Sequence, residues 1–208
     1  MTISKEQIVA WLEKTATVLN EQKEYLTQLD SAIGDADHGA NMARGFKKVM
    51  EKLPTFADKD IGNILKNTGM ALISSVGGAS GPLYGTFYMR AATPTNGKEE
   101  LDGDDVAAML KAGMEGVISR GRAEVGDKTM IDAWTPAVEA LQQSLADGAD
   151  VKTAVTACVS AAEQGMKDTI PLQAKKGRAS YLGERSKGHQ DPGATSTYFI
   201  LKALSDVL

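Results

Sequence analysis

One cysteine, Cys158, stands in 208 residues, so no internal disulfide can form and a reducing cytoplasm is the expected compartment. The opening Met1-Thr2-Ile3-Ser4-Lys5-Glu6-Gln7 lacks the basic and apolar halves of a signal segment. No uninterrupted apolar run approaches the roughly 20 residues that a membrane helix requires, which argues against a spanning protein. Positive charge is not in excess either. A net charge of -4 has the wrong sign for a general nucleic-acid surface, so any phosphate chemistry must rest on local positive charge or on metal. Internal repeats, low-complexity tracts and strand-type alternation are missing as well.

What is present is an ordinary globular composition, 42% hydrophobic and 24% charged, over a length that fits a single domain spanning residues 1–208. Its periodicity is helical. Ile8, Trp11, Leu12, Val18 and Leu19 repeat at three-to-four spacing behind a capping-box pair, Ser4 and Gln7. Further stripes lie at Met42 to Leu53, Ile61 to Leu72, Val106 to Val117, Trp134 to Leu145, Val155 to Met166 and Phe199 to Leu204. The last of these opens on Asp191-Pro192, a helix cap followed by proline at the first helical position. With a segment near Leu83 to Arg90 the count is about eight helices, and an all-α bundle or barrel is expected. The run Ala91 to Asp105 reads as a surface connection.

Glycine and polar residues concentrate in four connections: 34–41, 74–82, 116–129 and 168–193. The run 29–41, which leads into the first of these, holds three carboxylates, Asp30, Asp35 and Asp37, within eight residues. Two unit charges about 4 Å apart repel by about 1 kcal/mol in water and about 4 kcal/mol at an effective dielectric of about 20, so a converging trio needs a cation. Magnesium suits it, since that ion accepts a few carboxylates together with water and phosphate oxygens. An EF-hand register starting at Asp35 fails, because Ala40 stands where glycine is required and Phe46 where the bidentate glutamate belongs. The alternative is that these aspartates only cap helices and turns.

Ser74 to Pro82 carries Gly77, Gly78 and Gly81 between two helical patterns, which lets backbone amides approach an anion, although glycines at such junctions also serve as plain caps. Gly121, Gly126, Lys128 and Thr129 look like a P-loop, but Asp127 intrudes before the lysine and no strand precedes it. The 173–193 segment places Lys175, Lys176, Arg178, Arg185 and Lys187 in one long glycine-bearing connection, either a solvated surface run or a mobile lid over polyphosphate. His38 and His189 are the only histidines, and neither is given a covalent role.

Taken together, Gly34-Asp35-Ala36-Asp37-His38-Gly39 with Asp30, Gly77 to Pro82, Gly126 to Met130, and Gly177 to Arg185 with Gly188 to Gly193 resemble the ADP-binding L subunits of bacterial dihydroxyacetone kinases that work with the phosphotransferase system. That resemblance, which runs over almost the whole chain, implies an eight-helix antiparallel barrel with nucleotide at one rim. It implies Asp30, Asp35 and Asp37 as holders of two magnesium ions. It places His38, Gly39, Ala40, Asn41, Ala79, Ser80, Gly121, Met130, Arg178, Asp191, Pro192 and Gly193 against ADP, which stays bound as a coenzyme. Arg178 would stabilise charge during transfer, and Met130 would face adenine. The implied partners are a K subunit holding dihydroxyacetone, a phosphohistidine carrier M subunit and a transcriptional regulator, with a homodimeric chain. Rival readings are an ATP-dependent dihydroxyacetone kinase, whose nucleotide domain is normally fused to the sugar domain, a nucleotide-sensing regulator, and prenyl diphosphate chemistry, whose acidic motifs are more tightly spaced.

Overall fold

The computed structural model describes residues 2–208. Among them are nine α-helices: α1 (Lys5–Glu21), α2 (Lys23–Ile33), α3 (His38–Lys52), α4 (Ile61–Ser75), α5 (Ser80–Ala91), α6 (Gly103–Gly121), α7 (Ile131–Ala146), α8 (Val151–Asp168) and α9 (Pro192–Ser205). Short 3-10 stretches at Leu53–Thr55 and Arg178–Ser186 and two tiny strands, β1 (Ile3–Ser4) and β2 (Glu100–Leu101), complete the regular structure.

From α3 onward each helix packs on the next one in sequence, and α9 returns to pack on α1 and α2 while α1 lies against α3. The ring is closed. Gln22 alone separates α1 from α2, and its backbone (φ -90, ψ 8) bends the chain between them. Counted as one bent rod, α1 and α2 make this the expected eight-helix barrel. The sequence reading gave no separate helix at 23–33 because α2 buries only Leu26, Asp30 and Ile33, an apolar stripe too thin to recognise.

Both expected caps form, with Ser4 and Gln7 exchanging hydrogen bonds and the Asp191 side chain accepting from the Ala194 amide. Trp11, Tyr84, Phe87, Tyr88 and Trp134 fill the barrel, with Phe87 stacked on Trp134 at a centroid distance of 4.2 Å and edge-on to Tyr88 at 5.2 Å. Trp11 Nε1 donates to the Ile200 carbonyl at 2.8 Å, fastening α1 to α9 where the ring closes. Pro136 inside α7 has no N–H to offer the Asp132 carbonyl. Gly165 of α8 passes so close to that carbonyl that a Cβ there would lie 2.1 Å away.

Because the chain reverses between successive helices of the ring, alternate connections share a rim. The connections 34–37, 76–79, 122–130 and 169–191 therefore meet at one end, together with the N-termini of α3, α5, α7 and α9. The opposite end carries the antiparallel β1–β2 pair, Ile3 opposite Leu101. That ladder lies in the stretch expected to be a plain connection, and two residues are too few to show a period of two.

Candidate functional site

Asp30 belongs to the last turn of α2, and its buried Oδ2 accepts hydrogen bonds from the Asp37 amide at 2.8 Å and the His38 amide at 3.1 Å. It thereby caps α3 from a neighbouring helix, satisfying two amides that Asp37, the residue at the cap position, leaves unpaired with its own side chain. Ala36, at φ 61, turns the intervening chain back. Asp35 and Asp37 are exposed, and the three side chains each bring an oxygen within 4.8 Å of the others. Gly34 makes this possible, since a Cβ there would stand 2.0 Å from Asp30 Oδ1.

The cluster thus offers one rigid and two adjustable hard oxygen donors. That set fits magnesium, which leaves the remaining coordination positions to water and phosphate oxygens. Arg178 crosses from the 169–191 connection to place Nε 2.9 Å from Asp35 Oδ2. This single contact uses one of the five guanidinium donors.

Beside the acids lies a cavity of about 410 Å³, walled by the four rim connections and the first turns of α3, α5, α7 and α9. Gly78, at φ 64, is close enough to the cluster that its Cβ would meet Asp37 Oδ2 at 4.0 Å. Ser80, in the first turn of α5, hydrogen-bonds through Oγ to His38 Nδ1 at 3.0 Å. On its other nitrogen His38 meets Ser196 Oγ at 2.9 Å, and Ser196 joins Tyr84 Oη at 2.6 Å. Burial pushes the His38 imidazole down to about 4 despite the nearby Asp30 and Asp37 carboxylates, so at neutral pH it is an uncharged link between α3, α5 and α9.

The far side of the cavity is apolar, with Leu83, Val117, Met130 and Ile131 on its wall. Arg120, Lys176 and Arg178 add basic groups to the lining. The N-termini of α5, α7 and α9 and these cations share the cavity with the acidic cluster, so the rim offers groups suited to a cation and groups suited to an anion.

Of the residues expected at the site, all but Gly39, Ala40 and Asn41 border the cavity. Gly39 lies where α3 crosses α2, and a Cβ there would be 2.0 Å from the Lys23 carbonyl. Asn41 supports the glycine turn from behind, with Oδ1 accepting from Arg44 Nη2 at 2.6 Å and lying 3.1 Å from where a Gly77 Cβ would stand. The sequence reading missed the Tyr84–Ser196 hydroxyl pair and Arg120, while Lys176 was among the basic residues of the 173–193 segment. No local pattern marks the pair, because its members come from different helices. The segment read as either a solvated basic run or a mobile lid is a strap whose Ala174, Ala179 and Leu182 pack with Ile33.

Fold and rim together define a class: a closed helical barrel with an oxygen-donor cation cluster and phosphate-suited helix starts at one end. Residues 32–206 match the DAK2 domain family, and the chain belongs to it. It is 58% identical over 205 residues to the ADP-binding subunit DhaL of the PEP-dependent dihydroxyacetone kinase of Escherichia coli (strain K12), covering 99% of this chain and 98% of that one. The PTS-dependent dihydroxyacetone kinase ADP-binding subunit DhaL of Lactococcus lactis is 40% identical over 200 residues, covering 96% of both. Among solved structures, the dihydroxyacetone kinase from C. freundii in complex with AMP-PNP and Mg2+ superposes with a TM-score of 0.72 at 25% identity. The match covers 96% of this chain but 33% of that longer one.

Proposed function

We propose that this chain, over residues 1–208, is the ADP-binding L subunit of a phosphoenolpyruvate-dependent dihydroxyacetone kinase working in the cytoplasm. The observation that carries the reading is the end-to-end likeness to a subunit of that name, combined with the gathering of its four motif blocks around one cavity. A phosphohistidine carrier, the M subunit, recharges ADP held at the rim, and the terminal phosphoryl group passes to dihydroxyacetone on a separate K subunit. Dihydroxyacetone phosphate leaves, and the nucleotide stays. The same reading includes a transcriptional regulator as a further partner and a homodimeric chain, neither of which the phosphoryl path requires.

The protein's contribution is positioning and charge. Asp30, Asp35 and Asp37 would hold magnesium, two ions by the family resemblance. Bound there, magnesium neutralises phosphate oxygens. Ser80 and the amides opening α5 orient the phosphate chain, with neutral His38 fixing the Ser80 hydroxyl. Met130 and the apolar wall take the base, and Asp191 to Gly193 close the cavity from the start of α9. Arg178, already beside the cluster, offers its remaining donors to the oxygens that gain charge during transfer.

Single-turnover transfer tests this reading. Chain loaded with labelled ATP and magnesium is mixed with K subunit carrying dihydroxyacetone, and label is expected in dihydroxyacetone phosphate. Arg178→Lys keeps charge but loses the planar fork, so transfer slows, and Arg178→Ala slows it further. Label that stays in ATP with the unaltered chain contradicts the function, and unaltered rates in both variants remove Arg178 from the mechanism.

A further inference from the structure

Lys128 is 1% exposed, in a loop at the edge of a solvent-open cavity, with a left-handed backbone at φ 62. Its ammonium has no carboxylate partner. Instead Nζ donates to the carbonyls of Thr169 at 2.6 Å, Ile170 at 3.4 Å and His189. Thr169 and Ile170 begin the strap between α8 and α9, and His189 nearly ends it. An ammonium has three hydrogens, and these three carbonyls occupy all of them, leaving none for a phosphate oxygen.

We propose that Lys128 is a positioning residue that clasps the two ends of the 169–191 strap to the α6–α7 connection and so sets Arg178 and Asp191 at the cavity mouth. The surrounding bonds have the same design. The Gly188 amide donates to the Ile170 carbonyl at 2.7 Å, and the Asp191 amide to Thr169 Oγ1 at 3.0 Å, so the strap closes on itself at its base. The loop that presents Lys128 is itself held, since Asp132 accepts from the Gly126 amide at 2.6 Å and the Thr129 amide at 2.7 Å. Asp127 then reaches the strap, its carbonyl accepting from the Lys175 amide at 3.1 Å. Residues that look like a broken P-loop thus serve as a clasp, with the lysine turned away from phosphate and onto peptide carbonyls. Removing it leaves three carbonyls at the strap base without their cation and releases the loop closure that holds Arg178 near Asp35.

Hydrogen exchange read by mass spectrometry on the full, nucleotide-free chain tests the clasp. In Lys128→Met the amides of 170–190 are expected to exchange about tenfold faster or more, while those of α1 to α7 keep wild-type rates. Lys128→Arg, which restores a buried cation with several donors, brings strap exchange back toward wild type. Wild-type strap exchange in Lys128→Met, or protection lost evenly across every helix, overturns the proposal. Should Lys128→Met fail to fold, amine acetylation of the wild-type chain decides: Lys128 is expected to react last, and reaction as fast as the exposed Lys202 overturns it. The consequence for nucleotide retention rests on the proposed function, but both readouts need no nucleotide, so the clasp and the function can fail separately.

Discussion

Gly34 shows how one missing side chain shapes the site. A Cβ there would stand 2.0 Å from Asp30 Oδ1, and the same Asp30 carboxylate caps α3 through the Asp37 and His38 amides. Gly34→Ala must therefore move either the acid or the turn, leaving buried amides unpaired and one cation ligand displaced. A stability loss of about 1–3 kcal/mol is expected in urea unfolding, with weaker magnesium-dependent ADP binding. Unchanged binding would mean that Asp30 is not a ligand. The three acids were legible in the sequence because close spacing of like charges demands an explanation, whereas Arg178 stood there as one basic residue among five and received its role only through resemblance. Lys128 was quoted and then set aside, since a sequence does not show which way a lysine turns.

At the level of elements, four helices begin at the rim, and α9 begins there on the buried Asp191. Burial pushes its carboxyl up to about 7, with Asp132 adding to the rise while the Ala194 amide and Lys128 oppose it. The folded chain then holds a proton that the unfolded chain, near its ordinary value of 3.8, has released. Stability from this group is full below about pH 4 and is lost as pH rises to about 7. Asp191→Asn keeps an oxygen to accept from the Ala194 amide and cannot ionise. Urea unfolding of the two proteins should show wild type losing stability relative to the variant across that window, and a constant difference would show that Asp191 ionises normally. Helix caps of this kind were readable at both ends of the chain, as Ser4 with Gln7 and as Asp191-Pro192. The helix α2 was not, because a stripe of Leu26, Ile33 and an aspartate gives little periodicity, and the strap's packing on Ile33 depends on a contact between distant segments.

For the whole molecule, closure of the ring is what turns four separate loops into one site. Periodicity could supply the helices but not their circular order, which follows from α9 returning to α1 and α2. No helix among the described residues is long and apolar enough to cross a membrane, and the apolar stripes lie in the buried core. At the rim, acids, helix starts and basic side chains from all quarters of the barrel face one cavity, and the account stands on that cavity holding ADP through magnesium at the acidic cluster. Calorimetric titration of ADP into the full chain in the presence of magnesium, repeated with Asp35→Asn, tests this most directly. The account predicts binding that a chelator abolishes and that Asp35→Asn weakens roughly tenfold or more. ADP binding of equal strength with and without magnesium, or in both proteins, would contradict it.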